Sequence, residues 1–274
     1  MAPLKSCPSC RALVDSTETT CPYCGAQTDR RSVREVHLGA SDTPGLVTGW
    51  FIGACALFFI LEMVATLGAA GTRGLWQALV GVPGAILFEM GARATQRILA
   101  GEWWRLIVPM FLHGNFMHIL FNTMALIQAG PLAEQAYGRS RFIVLFLVTG
   151  ALGFLLGTYT SPMSISIGAS GSLFGLIGAA GLYGHRRGDA FGRMIRGTMI
   201  QWALYSFLFG LLIRADNAAH LGGLVSGIAL AFVMDDRHGR AADTFWKIAA
   251  GVCVAVTLVA FALAIASYLG VRAG

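Results

Sequence analysis

Long apolar runs separated by short charged breaks dominate the chain. They cover about 46–67, 106–132, 142–160, 167–184, 194–213, 217–234 and 247–269. Runs of roughly 17–25 apolar residues can cross a bilayer core about 30 Å thick as helices. The breaks carry Glu134, Arg139 and Arg141, then Arg186, Arg187 and Asp189, then Arg214 and Asp216, then Asp235, Asp236 and Arg237. This pattern predicts an all-α, polytopic membrane helix bundle with seven spans. Segment 68–103 does not fit it. Residues 74–88 are apolar but too short to span, and Pro83 interrupts them. Glu89, Arg93 and Arg97 follow at helical spacing with Ile98 and Leu99 opposite, which predicts a re-entrant or interfacial amphipathic element.

Composition narrows the class. Of 274 residues, 55% are hydrophobic and 12% charged, about half the usual charged share of about 25%. That excludes an ordinary soluble enzyme and a disordered chain. The 35 glycines follow no collagen period, and glycine lets membrane helices approach closely. The net charge of +6 raises nucleic acid as a partner, but the basic residues sit in short loops, where they set orientation. With the N-terminus inside, twelve basic residues flank the inner ends of the spans: Arg30, Arg31, Arg34, Arg139, Arg141, Arg186, Arg187, Arg193, Arg196, Arg237, Arg240 and Lys247. Six flank the outer ends: Arg73, Arg93, Arg97, Arg105, Arg214 and Arg272. The expected topology is a cytoplasmic N-terminus and an external C-terminus, in a bacterial-type plasma or inner membrane. The lipid bilayer is the expected partner and nucleic acid is not.

Ahead of the spans, Cys7-x2-Cys10 and Cys21-x2-Cys24 form two thiolate knuckles, and Gly25 suits the turn after the second. Two such knuckles make a closed tetrahedral site for one structural Zn2+. A pair of disulfides is the alternative, and a cytoplasmic location disfavours it. Residues 1–28 are read as a zinc-ribbon module and 29–44 as a basic linker, and residues 1–30 lack the apolar core expected of a signal peptide. Cys55 and Cys253 fall within apolar runs and read as buried small hydrophobes.

Ionisable and strongly polar groups inside spans are expensive and point to function. Here they are His113, His118, Asn122, His220 and Glu62, with Ser170 in a glycine-rich break, whereas His37, His185 and His238 read as loop residues. Gly168-Ala169-Ser170-Gly171 resembles the sharp turn that carries a hydrolase nucleophile, although a serine capping a helix would look the same. His220 alone reads as readily as a bonded core histidine. Two small-residue faces, Gly171 with Gly175 and Gly223 with Gly227, would let the two helices meet, and a serine hydrogen-bonded to a histidine is an activated nucleophile. Ser170 lies 16 residues before Arg186, His220 lies 15 before Asp235, and His118 lies 16 before Glu134. At a rise of about 1.5 Å per residue all three share a level some 23–24 Å above the inner boundary. Asn122, four residues after His118, lies on the same helix face.

GEWWRLIVPMFLHGNFMHILFN (101–122), GASGSLFG (168–175) and DNAAHLGGLVSG (216–227) together resemble the rhomboid family of intramembrane serine proteases. The resemblance implies a six-helix core over 45–235, with 236–274 adding a cytoplasmic loop and a seventh span. It implies a Ser170–His220 dyad without an acidic third member, and an oxyanion hole from His118, Asn122 and the Ser170 backbone N–H. The expected activity is endopeptidase cleavage in or near transmembrane segments of membrane-protein substrates, with no cofactor for catalysis. Trp104-Arg105, His113 and Glu134 match structural positions of the family. Phe174 stands where the family often has tyrosine, and the ribbon and seventh span are additions to the family core. The ribbon is expected to be regulatory or to recruit a cytoplasmic partner rather than to be catalytic. A rhomboid-like client-binding protein without activity remains open, as does a seven-span hydrolase using the intramembrane histidines as metal ligands.

Overall fold

The computed structural model describes residues 4–7, 13–28, 45–70, 75–234 and 240–273. The linker 29–44, Cys10, His37 and His238 lie outside them. The chain divides into two units, Met1–Thr43 and Pro44–Gly274.

In the small unit, β1 (Leu4–Ser6) pairs antiparallel with β2 (Leu13–Asp15), Lys5 facing Val14. Cys7 follows the first strand directly. A second turn is closed by Cys21 N–H on Ala26 O (2.8 Å) and Gly25 N–H on Cys21 O (2.9 Å). Gly25 has φ +71°, a left-handed conformation that an L side chain resists. Together these turns bring Cys7, Cys21 and Cys24 to one point.

The large unit is helical. Its first long helix is α1 (Leu46–Ala70), followed by three short ones: α2 (Leu75–Val80), α3 (Gly84–Glu89) and α4 (Thr95–Leu99). Two 3-10 turns, Trp103–Leu106 and Val108–Phe111, lead to α5 (Phe116–Tyr137). Then come α6 (Arg139–Thr160), α7 (Ser170–Arg187), α8 (Ala190–Leu212), α9 (Asn217–Val233) and α10 (Arg240–Ala273). Among the described residues, Leu46–Gly68, Phe116–Tyr137, Arg139–Thr160 and Ala242–Gly270 are long and apolar enough to cross a membrane, and Asn217–Val233 is a shorter apolar helix. α7, only 18 residues long, falls short because it is rich in glycine and ends in His185, Arg186 and Arg187. It is the central helix, with most of its length buried against its neighbours.

Three sequence expectations need correction. Residues 89–97 form no single amphipathic helix: α3 ends at Glu89, Arg93 lies in an extended bridge to Ser166, and Arg97 belongs to α4. Gly91, at φ +108°, makes the break. The run starting near 106 is likewise not helical until Phe116. Pro109 sits in a 3-10 turn, and Asn115 caps the helix through its side-chain oxygen on His118 N–H at 2.8 Å. His185, expected in a loop, lies in the last turn of α7.

Buried carboxylates tie the bundle together. Glu134, near the end of α5, accepts from Val47 N–H (3.2 Å), Thr48 N–H (3.1 Å) and Thr48 Oγ1 (3.0 Å). It thereby satisfies donors that the first turn of α1 leaves open. Glu62, fully buried on α1, accepts from the His113 backbone N–H at 3.0 and 3.2 Å. α10 packs on the bundle through Phe261, stacked on Phe58 with centroids 4.4 Å apart, and through Asp243 on Arg141 at 3.0 Å.

Candidate active site

The centre of the bundle is a contact between backbones. A Cβ added at Gly223 would strike the carbonyl oxygen of Gly171, and one at Gly227 would strike that of Gly175. α7 and α9 therefore approach as only glycine permits. α6 closes the other side, where Gly175 admits Thr149 and Gly153 admits the Ala219 carbonyl. These contacts fix where α7 and α9 begin relative to each other.

Ser170 opens α7 and His220 sits in the first turn of α9. Ser170 Oγ lies 2.8 Å from His220 Nε2. The serine does not cap its helix, since the residue before α7, Ala169, makes no side-chain cap and Ser170 Oγ faces the imidazole instead. On the other side, His220 Nδ1 lies 2.8 Å from Asn217 Oδ1. An amide oxygen only accepts, so Nδ1 carries the proton and Nε2 presents its lone pair to the serine hydroxyl. Phe174, one turn into α7, stacks on the imidazole with centroids 4.5 Å apart and planes 13° off parallel. The ring is thus held by a hydrogen bond, a flat aromatic face and the helix it belongs to.

His118 and Asn122 project from α5 towards the same place. Gly168, at φ +109°, sits beneath them, and a Cβ there would lie 2.5 Å from His118 Nε2 and 3.7 Å from Asn122 Nδ2. Gly114 N–H reaches His118 Nδ1 at 3.4 Å, which leaves Nε2 as the protonated nitrogen. Asn122 Nδ2 donates one proton to His118 O at 2.9 Å and has a second to offer. His113 lies outside this group. It is fully buried, with Nδ1 3.2 Å from Phe111 O and its ring 5.0 Å from that of His118.

Three residues escaped the sequence reading. Asn217 orients His220; its i−3 spacing from the histidine was the available signal. Asp216 caps α9 through Oδ1 on Ala219 N–H at 3.1 Å. Arg93 is fully buried and donates to Gly157 O (2.9 Å), Ser161 O (3.2 Å), Ser164 O (3.1 Å) and Ser164 Oγ (2.5 Å). Burial lowers the pKa of this guanidinium and the Asp216 carboxylate opposes the shift, and an arginine stays charged throughout. The Trp-Arg pair is structural as expected: Arg105 donates to Phe88 O (2.7 Å) and Ala92 O (2.9 Å) and pairs with Glu102.

In the small unit the sulfurs of Cys7, Cys21 and Cys24 lie within 4.8 Å of one another. Cys7 and Cys24 are 3.6 Å apart, well beyond a disulfide bond of about 2.05 Å. Thiolates about 2.3 Å from a tetrahedral zinc would stand about 3.8 Å apart, so the three sulfurs fit such a site. The fourth expected ligand, Cys10, is outside the described residues.

Residues 100–237, half of the chain, match the Rhomboid domain model. The chain is 36% identical over 146 residues to rhomboid protease GluP of Bacillus subtilis, covering 53% of this chain and 29% of that protein. It is 36% identical over 143 residues to the Bacillus subtilis rhomboid relative YdcA, covering 51% of this chain and 71% of that one. With rhomboid-type serine protease 2 of Emericella nidulans it shares 34% identity over 163 residues, 55% of this chain and 32% of the relative. The chain spans less than a third of GluP and 52% and 49% of two Arabidopsis thaliana RHOMBOID-like proteins, 6 and 5. Matched domain and helical bundle agree: the chain is a multi-pass membrane protein of the rhomboid family.

Proposed function

We propose that the chain is an intramembrane serine endopeptidase that hydrolyses peptide bonds in or near transmembrane segments of membrane proteins. The observation that carries this is the 2.8 Å contact between Ser170 Oγ and a His220 Nε2 whose tautomer Asn217 fixes. Ser170 Oγ attacks the scissile carbonyl carbon while its proton passes to Nε2. The carbonyl oxygen becomes an oxyanion, which the His118 Nε2–H, the second Asn122 amide proton and the Ser170 N–H would receive. Collapse breaks the C–N bond, and Nε2–H protonates the leaving amine. Water then repeats the sequence on the acyl-enzyme: its proton goes to Nε2, its oxygen to the carbonyl carbon, and Oγ leaves with the proton from Nε2.

The Ser–His geometry favours this over a client-binding protein without activity, for which neither the contact nor the tautomer would matter. It also weighs against a histidine-ligated metal hydrolase, because both His220 nitrogens and His118 Nδ1 are engaged by other groups. In the small unit, Cys7, Cys10, Cys21 and Cys24 would hold one structural Zn2+, which when bound stabilises the fold of that unit. We place the N-terminus in the cytoplasm and the C-terminus outside, on the basic-residue asymmetry, with the ribbon recruiting a cytoplasmic partner. A purified sample given a fluorogenic transmembrane substrate tests the activity. Cleavage that disappears in Ser170→Ala is expected; cleavage surviving in that variant would exclude the serine mechanism.

A further inference from the structure

α8 approaches the backbones of α7 and α9 most closely near its two ends, with the buried Met199 lying against Gly181 of α7 between them. Near its start, Gly192 meets Gly184 of α7, where a Cβ on either would come within 2.6 Å of the other's carbonyl oxygen. Near its end, Gly210 lies against the Asn217 side chain of α9, whose Nδ2 donates to Phe207 O at 3.4 Å. A cleft of about 540 Å3 remains, running from Phe174 and Phe207 at one end to His185 and Arg196 at the other. Phe174 and His185 are 11 residues apart on α7, about 16 Å along the helix. The cleft opens sideways past Ile200, Leu204 and Ile228, which are 58%, 52% and 42% exposed.

The surface inside the cleft is apolar throughout, and the polar atoms of a basic pair stand at its rim. Between the ends the walls are glycines and apolar side chains. At one end Arg196 and His185 lie side by side, Nη1 3.2 Å from Nδ1, both exposed. Arg187 is taken up by Asp189 at 2.8 Å, and Arg186 by the carbonyls of Ala231 and Phe232, both at 3.1 Å. Arg196 makes no ion pair among the described residues. A volume of this size is that of a ligand site, and an apolar slot in a bilayer that protein does not fill is open to lipid.

We propose that the cleft holds one acyl chain of an anionic phospholipid, with the headgroup phosphate against Arg196 and His185. The long apolar slot selects a chain, and the basic pair at its end selects a negative headgroup. The chain's far end would abut Phe174, whose ring carries His220 on its stack at 4.5 Å, so occupancy also bears on the imidazole. Only that coupling rests on the protease reading; binding rests on the bundle being in a membrane.

Native mass spectrometry of the purified full-length chain, exchanged from detergent into phosphatidylglycerol or phosphatidylcholine and read without substrate, tests the site. Wild type should retain one phosphatidylglycerol in preference to phosphatidylcholine. Arg196→Gln should weaken phosphatidylglycerol retention about fivefold, roughly what one basic side chain is worth at a membrane surface, and leave phosphatidylcholine unchanged. Ala203→Phe, which fills the slot from α8, should abolish retention of both, and Ile200→Trp serves the same purpose if that variant does not fold. Equal retention of the two lipids by wild type would overturn the proposal, as would normal retention with the slot filled. A covalent dimer forming efficiently through Leu204→Cys would assign the cleft to a second copy instead. Because no substrate is present, an inactive protein still reports on the site.

Discussion

Asp216 Oδ2 lies 3.4 Å from Arg93 Nη2, a pair in which the guanidinium is fully buried. The arginine comes from the segment between α3 and α4, and the carboxylate caps the helix that carries His220. Gly157 of α6 leaves room for the pair, since a Cβ there would lie 2.6 Å from Asp216 Oδ2. The same guanidinium holds the α6–α7 connection through Ser161 and Ser164. One side chain therefore joins the entrances to α7 and α9, where Ser170 and His220 reside.

Arg93→Ala should accordingly destabilise the bundle by about 3–5 kcal/mol, the usual cost of stranding one partner of a buried ion pair. Arg93→Lys should recover part of this, because an ammonium reaches fewer of the four oxygen acceptors. Thermal unfolding in detergent reads both. An Arg93→Ala protein as stable as wild type would show that the pair holds nothing together.

Ser170→Ala and His220→Ala should each remove cleavage, and the double variant should be scarcely worse than either, because a nucleophile and its base act as a unit. Single-turnover rates on a transmembrane substrate measure this. Additive losses would mean that the two residues do not cooperate.

The donors across from Ser170 can be separated from the group behind His220. Asn122→Ala should lower kcat by about 10²–10³ with KM little changed, as for loss of one oxyanion donor. Asn217→Ala should cost less, about 10–100-fold in kcat, by analogy with other groups that orient a functional histidine. Asn217→Asp, which keeps the acceptor, should restore much of that loss. A rise in KM at constant kcat for Asn122→Ala would assign it to substrate binding instead.

Gly227→Leu should fail to assemble the α7–α9 contact, because its Cβ alone already meets the Gly175 backbone. Overpacking of this kind typically costs about 1–3 kcal/mol or more. The expected result is loss of folded protein in size-exclusion chromatography. A well-folded, active Gly227→Leu protein would contradict the helix approach described.

Cys21→Ser should release zinc and unfold the small unit, while cleavage of a minimal transmembrane substrate in detergent stays within about twofold, since a closed four-thiolate site has no open position for chemistry. Metal content and cleavage rate measured on the same sample decide the matter. A folded bundle that loses cleavage with its zinc would give the ribbon a direct part in catalysis.

Much of this was readable in the chain because membrane helices announce themselves by length and because rare polar groups within them stand out. Ser170, His118, Asn122 and His220 could be picked out that way, and the Gly171/Gly175 and Gly223/Gly227 faces predicted which helices would touch. Segment 68–103 was harder, since its structure is set by contacts distant in sequence. Arg93 looked like an exterior charge with Glu89 and Arg97, but most of its partners, in Gly157, Ser161, Ser164 and Asp216, are far away in sequence, and no local spacing reports them. Asn217 was hidden differently: beside a helix cap, a polar residue is unremarkable until its neighbour's tautomer is considered.

The glycine contact between α7 and α9 has a mechanical consequence. With main chain against main chain at two levels, no rotamer change elsewhere can alter the spacing of the two backbones that carry Ser170 and His220; only sliding one whole helix past the other can. α8, in close backbone contact with α7 at Gly192 and held elsewhere through side chains, is built with the opposite tolerance. Strain arriving from a bound helix or from a deformed bilayer should therefore be taken up at α8, leaving the serine and histidine in register while the walls around them give way.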